Sequence, residues 1–168
     1  MQNFFIKKKR KLPLSILGLK NPKIINYFEN RGSAQCKSSV MLAALNTVGK
    51  TMIKAKKSRN HSELLFKYLN IPIKIKKNKN YDFIELKRPK KIKPFNYKIP
   101  GDISSSAFFM VLTILSKNSK LLIRDVNVNP SRIGVIKILK RMGAEIIFKK
   151  QKVYRGEKIS DLLIKSAN

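Results

Sequence analysis

Ser33, Gln35 and Lys37 bring side-chain donors together directly after Gly32, at the point where the sequence turns apolar. Gly32 permits a tight turn, and Ser33 is a favoured N-cap for the helix expected to follow. Val40, Met41, Ala44 and Leu45 recur at helical spacing, with Leu42 and Ala43 thickening the stripe. A helix start exposes unpaired N–H groups and the positive end of the helix dipole, so the run Ser33-Ala34-Gln35 suits an anion. The same pattern describes an ordinary capped core helix, and these residues alone leave both readings open.

Lys56, Lys57, Ser58 and Arg59 form a second basic start, leaving a strand pattern and opening a helix. There Arg59 could aim a planar fork at a phosphate. If the starts at Ser33 and Arg59 share one face of a sheet, each would contribute roughly 0.3–2 kcal/mol toward an anion. Asp102, with Ser104, Ser105 and Ser106 behind it, is a third polar start and reads as a capped helix.

Other motifs carry less. Gly49-Lys50-Thr51 resembles the end of a phosphate loop, but such a loop needs glycine where Ala44 stands and must join a strand to a helix. Here the run leaves a helix and enters a strand. His61 sits on a helix's first turn, where a surface group or cap is the better reading than a catalytic base. Asn60-His61-Ser62 fits the glycosylation pattern by coincidence, since nothing marks the chain as secreted. With one cysteine, Cys36, and one histidine, an internal disulfide and a Cys/His zinc site are excluded. No cofactor and no metal are expected.

The elements that must position these residues follow from periodicity. Residues 12–17 read as a short strand, 18–23 as a loop and 24–28 as a strand. The helix after Ser33 should stop near 46–49, before a strand over 51–55. A second helix opens between Ser58 and Glu63, capped by Ser58 or Asn60, with Glu63 placed for a capping box. Its buried side should be Leu64, Leu65, Tyr68 and Leu69. Residues 71–76 alternate as a half-exposed strand, with 81–86 as the hairpin partner. A basic, proline-punctuated connector covers 88–94.

After that connector the pattern starts again. The stretch from Val40 to Ile53 lines up with Met110 to Ile123 at an offset of 70, and Lys67 to Ile73 with Lys140 to Ile146 at an offset of 73. The extra residues are expected in the loop 127–131. Two copies of one strand–helix–strand–helix–strand unit point to a duplicated α/β (α+β) module rather than a short-repeat solenoid.

The composition of the 168 residues, 43% hydrophobic, supports a real core. There is no apolar run of 18 residues and so no membrane span, and the charge of the N-terminus follows its apolar residues, the wrong order for a secretory signal. A reducing cytoplasm is the expected compartment. The formal charge of +29 comes with 30 Lys against 8 Arg, and with 21 Ile and 14 Asn. That joint excess reads as coding bias. A dedicated nucleic-acid binder would favour Arg and interleave aromatics with the charge, so the composition argues against a nucleic-acid partner. The clusters at 7–11 and 87–93 resemble a nuclear-localisation signal and a nucleic-acid patch, but fit solvated strand ends and loops equally well.

Five runs in order carry a family resemblance: Ser33-Ala34-Gln35 with Lys37, Ser58-Arg59-Asn60-His61, Pro100-Gly101-Asp102 with the serines after it, Asn129-Pro130-Ser131-Arg132 and Arg141-Met142-Gly143-Ala144-Glu145. Together they resemble the 5-enolpyruvylshikimate-3-phosphate synthase family, the 3-phosphoshikimate 1-carboxyvinyltransferases of the shikimate pathway, in the bacterial type with Ser-Ala-Gln. The resemblance covers residues 12–168. It implies a fold of repeated βαβαββ units in two domains, with residues 1–98 ending the first and 99–168 starting the second. It implies transfer of the enolpyruvyl group of phosphoenolpyruvate to the 5-hydroxyl of shikimate 3-phosphate, on the way to chorismate and the aromatic amino acids, by an enzyme monomeric at full length. By position, Ser33, Ala34 and Gln35 would contact shikimate 3-phosphate, Gln35 would also lie near phosphoenolpyruvate, and Ser58 and Arg59 would meet the same phosphate. Cys36 stands where the family has an aliphatic residue, and Asn60 replaces its usual Asp. The family's catalytic acid/base residues have no counterpart among the nine acidic residues, so the chain is expected to be an internal fragment, inactive alone. From a different class, the alternative is a basic RNA-binding protein without catalytic activity.

Overall fold

The structure, a computed structural model, describes residues 4–5, 15–16 and 18–167. Contacts divide the chain into two compact units, one running to Ser58 and resuming over Asn70–Ile92, the other made of Arg59–Leu69 and Lys93–Asn168. The segment 93–98 and the excursion Arg59–Leu69 thus group with the second unit.

Two short strands, β1 (Phe4–Phe5) and β2 (Ser15–Ile16), pair antiparallel. Of the strand expected over 12–17 only Ser15–Ile16 is described; its other residues and the basic cluster 7–11 lie outside the described residues. The rest of the first unit is a four-stranded sheet in the order β3 (Asn26–Glu29), β4 (Lys50–Lys56), β6 (Tyr81–Lys87), β5 (Ile73–Lys77). β3 and β4 run parallel, joined through helix α1 (Ala34–Ala44), while β4, β6 and β5 pair antiparallel. Strand alternation decides the faces: Thr51, Ile53 and Ala55 are buried while Lys50, Met52, Lys54 and Lys56 are exposed. α1 packs on the buried side, closing a core of Met41, Ala44, Ile53, Ala55, Ile84 and Leu86.

The second unit holds α2 (His61–Tyr68), α3 (Ile103–Leu115), β7 (Lys120–Asn127), α4 (Gly134–Arg141), β8 (Ile146–Tyr154) and β9 (Glu157–Lys165). Its sheet order, β7-β9-β8, reproduces β4-β6-β5. α3 packs on β7 and β9 as α1 does on β4 and β6. Leu162 and Ile164 meet Ile103, Met110, Val126, Ile136 and Ile146 in its core. A first strand is reduced to a single parallel bridge, Gly101 to Val126.

The duplication is therefore structural. β4 and β7 begin at Lys50 and Lys120, an offset of 70, and α2 and α4 begin at His61 and Gly134, an offset of 73. The three extra residues do not all lie in the loop 127–131, as expected. One is in β7, which has 8 residues against 7 in β4 and shifts register between Ile123 and Val126. Asp125 there takes φ +48, as a bulged residue does.

Helix α2 departs from expectation twice. Its buried residues are Glu63 and Phe66, while Tyr68 is exposed and meets Phe95 edge-on. Asn60 is the N-cap by position but makes no side-chain cap bond, because its Oδ1 accepts instead from Asn129 Nδ2 at 2.9 Å. A tertiary partner outcompetes the local capping box.

The Ser33 and Asp102 caps form as expected. Cys36 N donates to Ser33 Oγ at 3.2 Å, and Ser105 N to Asp102 Oδ2 at 3.0 Å. Ser33→Ala should cost about 1 kcal/mol of stability and Ser33→Gly only a few tenths, read as urea midpoints of the two variants. No measurable loss in Ser33→Ala would show that the hydroxyl does not cap. Among the described residues no helix is long and apolar enough to cross a membrane.

Candidate functional site

β3 and β4 are parallel, so their carboxyl ends lie side by side, and α1 starts from one of them. Crevices outside the carboxyl ends of parallel strands are where α/β sheets bind ligands. The turn between β3 and α1 is held from beneath by a buried carboxylate. Glu29, 2% exposed, accepts from Arg31 N at 2.9 Å and Gly32 N at 2.8 Å. Gly32 takes φ +74, a conformation that favours glycine, and a Cβ there would stand 3.5 Å from the Lys57 carbonyl. The start of α1 thus lies against the end of β4, one residue before Ser58.

Of the residues expected to bind substrate, the structure places Ser33, Ala34 and Gln35 on the first turn of α1 and its cap, with Gln35 exposed. Ser58 follows the Lys57 carbonyl that approaches Gly32, and its Oγ is buried with no hydrogen-bond partner among the described residues. These four belong to the first unit, whereas Arg59 opens the second. Lys37, in the first turns of α1, is fully buried.

Sequence reasoning missed Glu29, which no spacing rule ties to the turn two residues later. It also set aside His61. Within the second unit, His61 Nδ1 meets Glu157 Oε1 at 2.6 Å, and Glu157 Oε2 accepts from Asn129 Nδ2 at 3.1 Å. Burial pushes the Glu157 carboxyl up, but hydrogen bonds from His61, Asn129 and Asn127 outweigh it and hold the group below the ordinary 4.5. Arg132 Nη2 bonds Asp102 Oδ1 at 2.9 Å and Ser104 Oγ at 2.6 Å. Hydrogen bonds from Ser105 and Ser104, with the Arg132 charge, hold the Asp102 carboxyl below its usual value. Both pairs line one cleft of about 250 Å3 with Tyr97 and Gly101. The runs Pro100 to Asp102 and Asn129 to Arg132 signalled these residues without assigning them a role.

Comparison with known proteins gives one answer. The EPSP synthase (3-phosphoshikimate 1-carboxyvinyltransferase) family model matches residues 4–167. A 3-phosphoshikimate 1-carboxyvinyltransferase of Petrotoga mobilis is 38% identical over 167 residues, covering 98% of this chain and 38% of its own length. One from Syntrophomonas wolfei is 43% identical over 133 residues, 79% of this chain and 30% of its own. An EPSP synthase structure from Acinetobacter baumannii superimposes with a TM-score of 0.79 at 35% identity, over 95% of this chain and 36% of that one. The chain thus spans little more than a third of the length of the relatives it matches. With a family model matching residues 4–167 and a solved structure superimposing over 95% of its length, the chain belongs to the EPSP synthase family.

Proposed function

We propose that this chain forms part of the shikimate 3-phosphate site of an enolpyruvyl transferase, an enzyme moving the enolpyruvyl group of phosphoenolpyruvate to the substrate's 5-hydroxyl. The observation that carries the reading is the Glu29-clamped turn at the carboxyl ends of β3 and β4. The clamp ties the Arg31 and Gly32 N–H groups to a buried carboxylate, leaving the start of α1 with Ser33 and Gln35 to face an anion. The orphaned Ser58 Oγ fits the same reading, since buried polar atoms are normally satisfied and a phosphate oxygen would accept its proton. Arg59, directly after it, would add a charge-assisted hydrogen bond.

In this reading the boundary between the family's two domains falls at 98/99, and the full-length enzyme is a cytoplasmic monomer. The chain's residues bind and orient. This reading assigns them neither proton transfer nor the clamp on phosphoenolpyruvate.

Titrating the 15N-labelled chain with shikimate 3-phosphate tests this. Amide shifts should concentrate at residues 33–35 and 58–59, with weak affinity, and Arg59→Ala and Gln35→Ala should each weaken binding about tenfold. If neither substitution alters the shifts, the site assignment is wrong. The chain alone should release no phosphate from the two substrates together; measurable release would overturn the division of labour.

A further inference from the structure

The face of the first unit's sheet turned away from α1 has a pattern that no stretch of sequence displays. Register aligns Phe28 on β3 with Lys54 on β4, Phe83 on β6 and Lys76 on β5, so one row across the sheet reads aromatic, lysine, aromatic, lysine. Phe28 is 51% exposed and Phe83 37%. Tyr81, next to Phe83 on the same face of β6, extends the aromatic surface, its ring 5.8 Å from that of Phe28. Lys54 Nζ stands 5.0 Å from the Phe28 ring centroid, 4.7 Å from Tyr81 and 6.0 Å from Phe83. Around this centre the same face carries Lys50, Lys56, Lys74 and Lys87, and its acid Glu85 is paired with Lys50 at 3.3 Å.

Bulk composition does not account for this arrangement. In the second unit the position 70 residues after Lys54 is Arg124, and the nearby rows, Leu122, Leu163 and Ile147 and then Asp161 with Lys149, carry charge in places but no aromatic ring. Exposed aromatic rings set among cations on an open sheet are what single-stranded nucleic acids bind. Bases stack on the rings, while ammonium groups between them reach the phosphates. A duplex hides its base faces and gains only the charge term.

We propose that the outer face of the β3-β4-β6-β5 sheet binds single-stranded nucleic acid, with Phe28 and Phe83 as stacking platforms and Lys54 and Lys76 as phosphate contacts. Lys54, resting over the rings in the free protein, turns to the backbone when bases displace it. The inference is independent of the transferase reading, since it uses the opposite face of the sheet from α1.

The test is fluorescence anisotropy of a labelled twelve-nucleotide oligouridylate, an oligothymidylate of the same length and a matched duplex against the full 168-residue chain across a salt series. At least one single strand should bind more tightly than the duplex. F28L/F83L keeps bulk, strand and charge but removes both rings. It should weaken single-strand binding roughly tenfold per ring, leaving the salt slope and duplex binding unchanged. K54A/K76A should reduce the salt slope by about 1.4, at roughly 0.7 for each phosphate no longer neutralised. K117A/K137A, in the second unit, is the charge control and should change single-strand affinity little. Circular dichroism confirms that each variant is folded, and Phe83→Leu alone serves if the double variant is not. If F28L/F83L binds like the parent, or the control pair weakens binding as much as K54A/K76A, the chain binds only through diffuse charge and the platform is overturned.

Discussion

Glu29→Ala is expected to destabilise the first unit by about 3 kcal/mol and to weaken shikimate 3-phosphate binding in the same variant. The carboxylate is buried and accepts two backbone N–H groups, from Arg31 and Gly32, in bonds of 2.9 and 2.8 Å. Hydrogen bonds to a charged group are worth about 1.5–3 kcal/mol each, discounted here because Arg31 lies exposed and water can reach its N–H. Glu29→Gln retains an acceptor oxygen but exchanges the other for a donor facing an N–H group, so it should fall between parent and alanine. Urea unfolding followed at tyrosine reports the stability, and the shikimate 3-phosphate titration reports the turn. A loss under about 1 kcal/mol for Glu29→Ala would mean that Gly32 and the cap at Ser33 hold the turn without the clamp.

The second large effect belongs to Glu157. At neutral pH Glu157→Ala should cost the second unit about 3 kcal/mol, because it removes a buried carboxylate, strands His61 Nδ1 and leaves Asn129 Nδ2 with Asn60 as its one remaining acceptor. The cost sits at the low end for a broken buried pair because His61 is 35% exposed. The sign of the pH dependence follows from the depressed carboxyl. A glutamate whose folded value lies below the ordinary 4.5 contributes stability that is fully present above about pH 4.5 and is lost as pH falls through the folded value. The gap in melting temperature between parent and Glu157→Gln should therefore close as pH falls below about 4.5. A gap that stays open under strong acid, where the carboxyl is protonated in both states, would mean that the carboxylate is not stabilised by its partners.

Much of the fold was legible because local patterns and tertiary outcome agree. The alternation Lys50-Thr51-Met52-Ile53-Lys54-Ala55-Lys56 is a half-buried strand in both sequence and structure. The Ser33 and Asp102 caps sit where residue type puts them, and the duplication is written in the sequence as offsets of 70 and 73. Failures cluster where a distant partner outbid a local one. Asn60 abandons the cap for Asn129, 69 residues away, and His61, read as a surface group, bonds Glu157, 96 residues away. Lys37 reads as an accessible donor because lysine is seldom buried, yet on α1 it is fully buried.

The sequence by itself determined the elements, their repetition and the family, because turn chemistry, periodicity and motif order are local properties that survive without knowledge of neighbours. It also set the inventory of charge, but not its arrangement. Aromatics and lysines are not interleaved along the chain in the way a nucleic-acid binder's sequence suggests. They interleave across it, since Phe28, Lys54, Phe83 and Lys76 come from four strands and meet only through register. The carboxylate beneath the helix-start turn and the His61–Glu157 pair are of the same kind. Only the folded chain could decide them, because each depends on a backbone geometry that brings a side chain to a partner no sequence spacing specifies.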